Sequence, residues 1–188
     1  MKKERFDTVT DGIIAIIVTL MVLEIKLPEL TAVNTWPLIL HIAVYALSFI
    51  YIAIGWLNHH HMFIKVEKVD TGTVWANFAF LFTLSLVPLA TGPLGEEFQK
   101  TGSHVFYGAV CTLTALTYTL LQARVNKKYN HSNNKVKYHM FDIIGIVLYG
   151  LSIPLSFVSI YISAIIFIMI PTIYFMQSKR LPKLHELE

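Results

Sequence analysis

Ionisable residues lie at both ends of the first apolar segment of this chain. Asp11 and Glu24 enclose only 12 uncharged residues. At about 1.5 Å per residue, a helix of that length covers ~18 Å, much less than the ~30 Å of the hydrocarbon layer. Carboxylates at such a depth usually face a bundle interior or a water-filled cavity, where they attract cations or carry protons. The first segment is therefore the candidate for ion or proton movement.

Three consecutive histidines, His59 to His61, raise a second possibility, a metal centre. Consecutive residues of a helix point about 100° apart, whereas ligands on one face need i, i+3 or i, i+4 spacing. One metal ion cannot collect all three side chains, so we expect no metal site and no cofactor. Because histidine titrates near neutral pH, the cluster is also a candidate pH sensor.

The composition requires that membrane-spanning elements position these residues. Hydrophobic residues make up 55% of the 188 residues, charged residues only 14%, and the mean hydropathy is +0.58. A soluble fold could not bury that much apolar surface. The apolar runs are long and continuous, which favours helices over a barrel. We predict an all-α integral membrane protein, a single domain over residues 1–188 with six spans: Phe6–Leu27, Pro37–Leu57, Val74–Thr91, Val105–Ala123, Phe141–Leu155 and Ser156–Met176.

The basic residues indicate how the spans are oriented. With six spans and a cytoplasmic amino terminus, all but Lys26 and Lys100 of the 15 Lys and Arg residues fall on the cytoplasmic side, as the positive-inside rule requires. Five spans would move the carboxyl-terminal cluster to the other side, so we expect Pro154 to mark a tight turn rather than a kink. Both termini and the loop 126–140 are predicted to be cytoplasmic. Anionic lipid explains the net charge of +3 without a nucleic-acid partner.

The first helix has one mixed stripe along its length. Projection at 100° per residue gathers Thr8, Gly12, Ala15, Ile16, Thr19 and Leu23 within about 100°, with Asp11 and Leu20 at the edges. The opposite side carries Ile13, Ile14, Ile17, Val18 and Met21. Small residues and threonine can simply let helices pack closely. Alternatively, the stripe lines a narrow pore with a hydrophobic constriction.

Three segments in order resemble the transmembrane protein 175 family of potassium channels. Arg5, three further residues and Val9-Thr10-Asp11 are similar to the RxxxFSD signature that opens that family's first helix, with Val-Thr in place of Phe-Ser. The WLNHHHMF segment from Trp56 resembles the WxxHH end of the second helix, and LVPLATGPLGE from Leu86 resembles the end of the third. The six-span layout fits the whole chain.

The resemblance implies a homotetramer in which four first helices line a central pore. It implies a constriction formed by Ile16, Leu20 and Leu23, and potassium preference set by Thr19. It also implies a polar network that fixes the rotation of the pore helix, formed by Arg5, Thr10, Asp11, Trp56 and His60. The stripe contains three of the four pore residues, and this agreement favours the pore over mere packing.

The sequence thus favours a passive potassium-selective channel of the plasma membrane, whose partners are further copies of itself, lipid and potassium ions. A proton leak channel or proton-coupled transporter using Asp11 and the histidines is the alternative. A membrane metalloenzyme is disfavoured because no catalytic constellation lies deep in a helix, so we expect no enzyme. Asp142 opens the fifth span and is expected to cap that helix or pair with the basic loop.

Overall fold

The computed structural model describes residues 1–24, 35–64, 66–129 and 140–178, without the side chains of residues 140, 141 and 175–178. These residues form six helices: α1 (Lys3–Leu23), α2 (Trp36–Phe63), α3 (Thr71–Glu96), α4 (Thr101–Tyr129), α5 (Met140–Val158) and α6 (Ile160–Ser178). The predicted all-α fold with six helices is confirmed. The positions of Lys26, Lys65 and the basic residues between 130 and 139 and beyond 178 lie outside the described residues.

Four of these helices, α1 to α4, are long and apolar enough to cross a membrane. The apolar parts of α5 and α6, Asp142–Val158 and Ile160–Tyr174, are shorter. Helix α1 packs on α2 and α3, while α4 packs on α3 and α5, and α5 on α6. The most extensive packing is that of α4 on α3 and α5, and α1 lies at one side of the subunit against α2 and α3.

Three helices extend beyond the predicted spans. Helix α2 continues six residues past Leu57 to Phe63, α3 reaches Glu96, and α4 ends at Tyr129. Hydropathy detects only the part of a helix that lies in hydrocarbon, whereas backbone hydrogen bonding continues into the polar region. The added turns of α2 carry His59 into contact with Phe6 of α1 and Asn77 of α3.

The predicted turn between the last two helices is present, but not at Pro154. Proline lies inside α5, and the chain reverses at Ser159. The Tyr174 hydroxyl donates to Asp142 Oδ1 at 3.0 Å, so α5 and α6 run antiparallel. Pro88 and Pro93 likewise lie within α3 and do not end it. A membrane helix tolerates proline because neighbouring groups satisfy the freed carbonyl.

The amino terminus is fixed to the segment that joins α2 and α3. The Met1 ammonium donates to the Val69 carbonyl at 2.8 Å, and Val69 N donates to the Met1 carbonyl at 3.1 Å. Lys3 Nζ donates to the Ile64 carbonyl, the residue after α2, at 3.2 Å. These bonds place the start of α1 and the end of α2 at the same end of the subunit.

Asp70 is the centre of a cluster that closes this end. Its carboxylate caps α3 by accepting from the backbone N–H groups of Gly72 and Thr73. It also pairs with Arg124 at 3.1 Å and Lys128 at 3.0 Å on α4. Hydrogen bonds, first from the Thr73 side chain and then from Lys128, hold the pKa of Asp70 below its usual range. Among the described Lys and Arg residues, all but Lys100 therefore gather at one end of the bundle.

Candidate functional site: the uncovered face of the first helix

Helix α1 presents two different faces. The residues packed into the subunit are Phe6, Thr10, Ile14, Ile17 and Met21. The other face is left uncovered by its own subunit: Ile16 is 59% exposed, Leu20 48% and Leu23 74%. The side of α1 opposite the mixed stripe is thus the buried side, and the mixed stripe is free to meet another molecule. The predicted constriction residues lie together on this stripe.

Thr19 lies on the same uncovered face, one turn from Ile16. Its hydroxyl donates to the Ile16 carbonyl at 2.8 Å, a bond within the helix. A threonine oxygen that uses its proton in this way keeps its lone pairs as acceptors. The arrangement places an oxygen able to coordinate a cation between the side chains of Ile16 and Leu23.

Asp11 is held by α2 near the start of the stripe. Trp56 Nε1 donates to Asp11 Oδ1 at 2.8 Å. The Trp56 ring stacks on His60, with 5.9 Å between ring centroids and 26° between planes. Three of the five residues predicted for the polar network are therefore brought together: a carboxylate, an indole and an imidazole on the outer side of α1.

Thr10 belongs to a different, buried network. Asn77 of α3 donates through Nδ2 to Thr10 Oγ1 at 2.9 Å, and Asn77 Oδ1 lies 2.8 Å from His59 Nε2. The His59 ring is enclosed by aromatic rings, with centroids 4.7 Å from Phe63 and 6.0 Å from Phe80. The sequence analysis named His59 only as one of three consecutive histidines and did not identify Asn77. An asparagine near the start of an apolar span was the available signal.

Arg5 does not join Asp11. The side chain is exposed, and within the described residues it makes no hydrogen bond or ion pair with that carboxylate. Thr10 is also separated from the Asp11 group, so only Asp11, Trp56 and His60 of the five predicted residues form one network. The cause is rotation: adjacent residues point about 100° apart, and Thr10 faces α3 while Asp11 faces α2.

The three histidines do not converge. His59 points to Asn77 inside the subunit, and His60 stacks on Trp56. Among the described residues, no three His, Cys, Asp or Glu side chains are grouped so that they could hold a metal ion. The helical spacing thus separates the three rings, as the periodicity argument predicted.

The far end of the stripe is built by close approach of α3. A Cβ at Gly92 would lie 3.4 Å from the Glu24 carboxylate, an ordinary van der Waals distance that permits a small side chain there. One turn on, a side chain at Gly95 would meet the His41 ring of α2 at 3.3 Å. The small residues of α3 let Glu24 and His41 lie close to it.

Six packed helices and a first helix with a hydroxylated, apolar, uncovered face define a polytopic α-helical membrane protein. The chain belongs to the TMEM175 family, and the resemblance noted in the sequence is confirmed. Residues 5–88 match the profile described as "Endosomal/lysosomal potassium channel TMEM175". A potassium channel of Chryseobacterium sp. (strain P1-3) is 36% identical over 188 residues, which cover 97% of each chain.

The fold also matches a solved structure, described as the crystal structure of a lysosomal potassium-selective channel TMEM175 homolog from Chamaesiphon minutus. The TM-score is 0.80 at 25% identity, covering 93% of this chain and 97% of that chain. The mouse endosomal/lysosomal proton channel TMEM175 is 27% identical over 110 residues, 55% of this chain but 22% of that protein. The relatives thus include proteins named for potassium and for protons.

Proposed function

We propose that this chain is a potassium-selective ion channel that conducts passively through a pore lined by α1. The observation that carries the proposal is the uncovered stripe, in which Ile16 and Leu23 flank the Thr19 oxygen. A helix face that contacts lipid rarely carries a carboxylate such as Asp11 at one end and a hydroxyl in its middle. The bacterial relatives named as potassium channels support the same function.

One copy of the stripe cannot enclose a pore, so the proposal requires several copies around an axis. We assign a homotetramer in which Ile16, Leu20 and Leu23 form apolar rings. An ion crossing such a ring sheds part of its hydration, and potassium, which holds water less tightly than sodium, loses less. Four Thr19 oxygens then return some coordination and set the preference. No cofactor and no enzymatic reaction are part of this mechanism.

We further place the chain in the plasma membrane with its basic end in the cytoplasm. The support is the cluster of Lys and Arg around Asp70 and the amino terminus, because positive residues mark cytoplasmic loops. A cysteine introduced at Lys127 should then react only with reagents that reach the cytoplasmic side. Labelling from the outer side would contradict this orientation.

Flux through purified protein in liposomes tests the function. A potassium gradient imposed alone should drive flux, and an equal sodium gradient should drive much less. Cysteines at Ile16 should crosslink neighbouring subunits, whereas cysteines at Phe82, which is 65% exposed on α3, should not. A strictly monomeric protein with full flux would refute the tetrameric pore.

Proton conduction is the second candidate, because the mammalian relatives carry that name and Asp11 on the uncovered face accepts from Trp56, whose ring stacks on His60. The same liposomes separate the two candidates. With a pH gradient, equal potassium on both sides and valinomycin to compensate the charge, a proton channel acidifies the vesicles, whereas a channel that passes only potassium does not. Acidification under these conditions would favour the second candidate.

A further inference from the structure

A cavity of about 60 Å³ lies inside the subunit, and none of its lining residues belongs to α1. Helices α2 to α6 all contribute to its wall. Five aromatic residues and one carboxylate contribute to this wall: Tyr51, Phe80, Tyr118, Tyr149, Tyr174 and Asp142. By volume the space admits more than one water molecule or a small ligand.

The carboxylate in this wall is only half satisfied. Asp142 is 7% exposed, and Oδ1 accepts from the Tyr174 hydroxyl at 3.0 Å. Oδ2 is buried without a hydrogen-bond partner in the described part of the chain. The sequence predicted that Asp142 caps α5 or pairs with the basic loop; residues 130–139 of that loop lie outside the described residues, and the partner that the structure shows is Tyr174 of α6. A buried carboxylate with one oxygen lacking a donor is costly, so a cation in the neighbouring space would be stabilised.

The lining residues contain no lysine, arginine or histidine that could compensate Asp142. Their aromatic faces carry partial negative charge from the ring quadrupole. Tyr118 contributes a ring that stands edge-on to Phe80, with 5.5 Å between centroids. Five rings and one uncompensated carboxylate together define a small space with negative potential and apolar walls.

We propose that this cavity is a binding site for a small organic ammonium ion. Its charge would lie beside the Asp142 carboxylate, and its alkyl part would lie against the rings, the arrangement by which aromatic cages recognise ammonium groups. A neutral apolar ligand would leave the carboxylate charge uncompensated. An anion would be repelled by the carboxylate. A bare potassium ion would regain little of its lost hydration, because the accessible surface of the wall is mostly apolar.

Ligand-observed NMR on the detergent-solubilised full-length protein tests the site, with ethylammonium chloride as the probe and 1-propanol as its neutral isostere. Ethylammonium should bind saturably, and its alkyl protons should shift upfield when they lie over aromatic rings. 1-Propanol should bind at least tenfold more weakly. Equal binding of the two would overturn the proposal, since the carboxylate would then contribute nothing.

Matched variants locate the binding. Asp142→Asn should weaken ethylammonium at least tenfold, whereas Glu24→Gln, which removes a carboxylate from α1, should leave the affinity unchanged. Tyr118→Phe keeps the ring and should retain binding, but Tyr118→Leu should weaken it severalfold. This second pair decides the matter if Asp142→Asn fails to fold. Unchanged affinity in both Asp142→Asn and Tyr118→Leu, or full competition by potassium at equal concentration, would overturn the site.

The ammonium group can come from a free amine or from a lipid headgroup. Nanodiscs made of phosphatidylglycerol alone, and nanodiscs that also contain phosphatidylethanolamine, distinguish these sources. If ethylammonium binds equally in both, the site takes the free amine. If phosphatidylethanolamine abolishes probe binding and excess ethylammonium restores it, the headgroup occupies the same site.

Discussion

Two isoleucines on α1 provide a matched test of the proposed pore. Ile14 is 5% exposed and Ile16 is 59% exposed, although they lie only two positions apart. Replacing either by alanine removes the same atoms. At Ile14 the change leaves a cavity in the core, which should lower the free energy of unfolding by about 2–5 kcal/mol.

Replacing Ile16 by alanine should lower the free energy of unfolding of the subunit only slightly. Full burial of an isoleucine side chain contributes roughly 1.5–3 kcal/mol, and less than half of this side chain is covered, so the loss should be about 1 kcal/mol or less. The effect should instead appear in conduction, because an apolar ring becomes wider. Ile16→Ala should raise the current and admit more sodium, and Ile16→Asn, which wets the ring, should do so more strongly.

Single-channel recording in planar bilayers, with potassium and sodium on opposite sides, measures conductance and reversal potential. Denaturation in detergent micelles measures stability for the same proteins. Ile14→Ala should reduce stability and yield but leave the conductance of each surviving channel unchanged. If Ile16→Ala and Ile16→Asn alter neither conductance nor reversal potential, α1 is not the filter, and the proposed pore is wrong.

Three further outcomes are expected. Thr19→Val should lower the potassium preference in reversal-potential measurements, whereas Thr19→Ser keeps the oxygen and should retain it. Asn77→Leu should lower the free energy of unfolding by about 2–6 kcal/mol, because His59 and Thr10 each lose a buried partner worth about 1–3 kcal/mol. Adding Thr10→Val should recover part of this loss. The pKa of Asp70 is lowered in the folded protein. Its contribution to the free energy of unfolding is therefore present above the pKa of the unfolded chain, about 3.9, and is lost as the pH falls below that value. Thermal unfolding between pH 2 and 6 should show that acid dependence in the parent protein but much less of it in Asp70→Asn.

The fold was largely predictable because its signals are local. Apolar runs of span length and the positions of Lys and Arg determine six helices and the end at which the charges gather. The division of α1 into two faces was also predictable, since the 3.6-residue period depends only on neighbouring positions. Ile14 and Ile16 accordingly lie on the faces that projection gave them.

The partners of the polar side chains were not predictable from local pattern. The bond from Asn77 to Thr10 joins residues 67 positions apart, and it depends on how α3 rotates against α1. The position of the last turn was also missed, because proline was taken as the breaker. Pro154 is tolerated inside α5, and the reversal occurs at Ser159.

Adjacent residues on α1 determine which of its faces is presented to the proposed pore. Thr10 accepts from Asn77 of α3 at 2.9 Å, and Asp11 accepts from Trp56 of α2 at 2.8 Å. Because adjacent side chains point about 100° apart, both bonds form together in only one rotational setting of α1. Turning the helix by one residue would break both and would turn Ile16 away from the uncovered side of the subunit. Ile16 lies six residues beyond Thr10, or ~9 Å along the axis, so the setting of the constriction is fixed by hydrogen bonds that do not touch it.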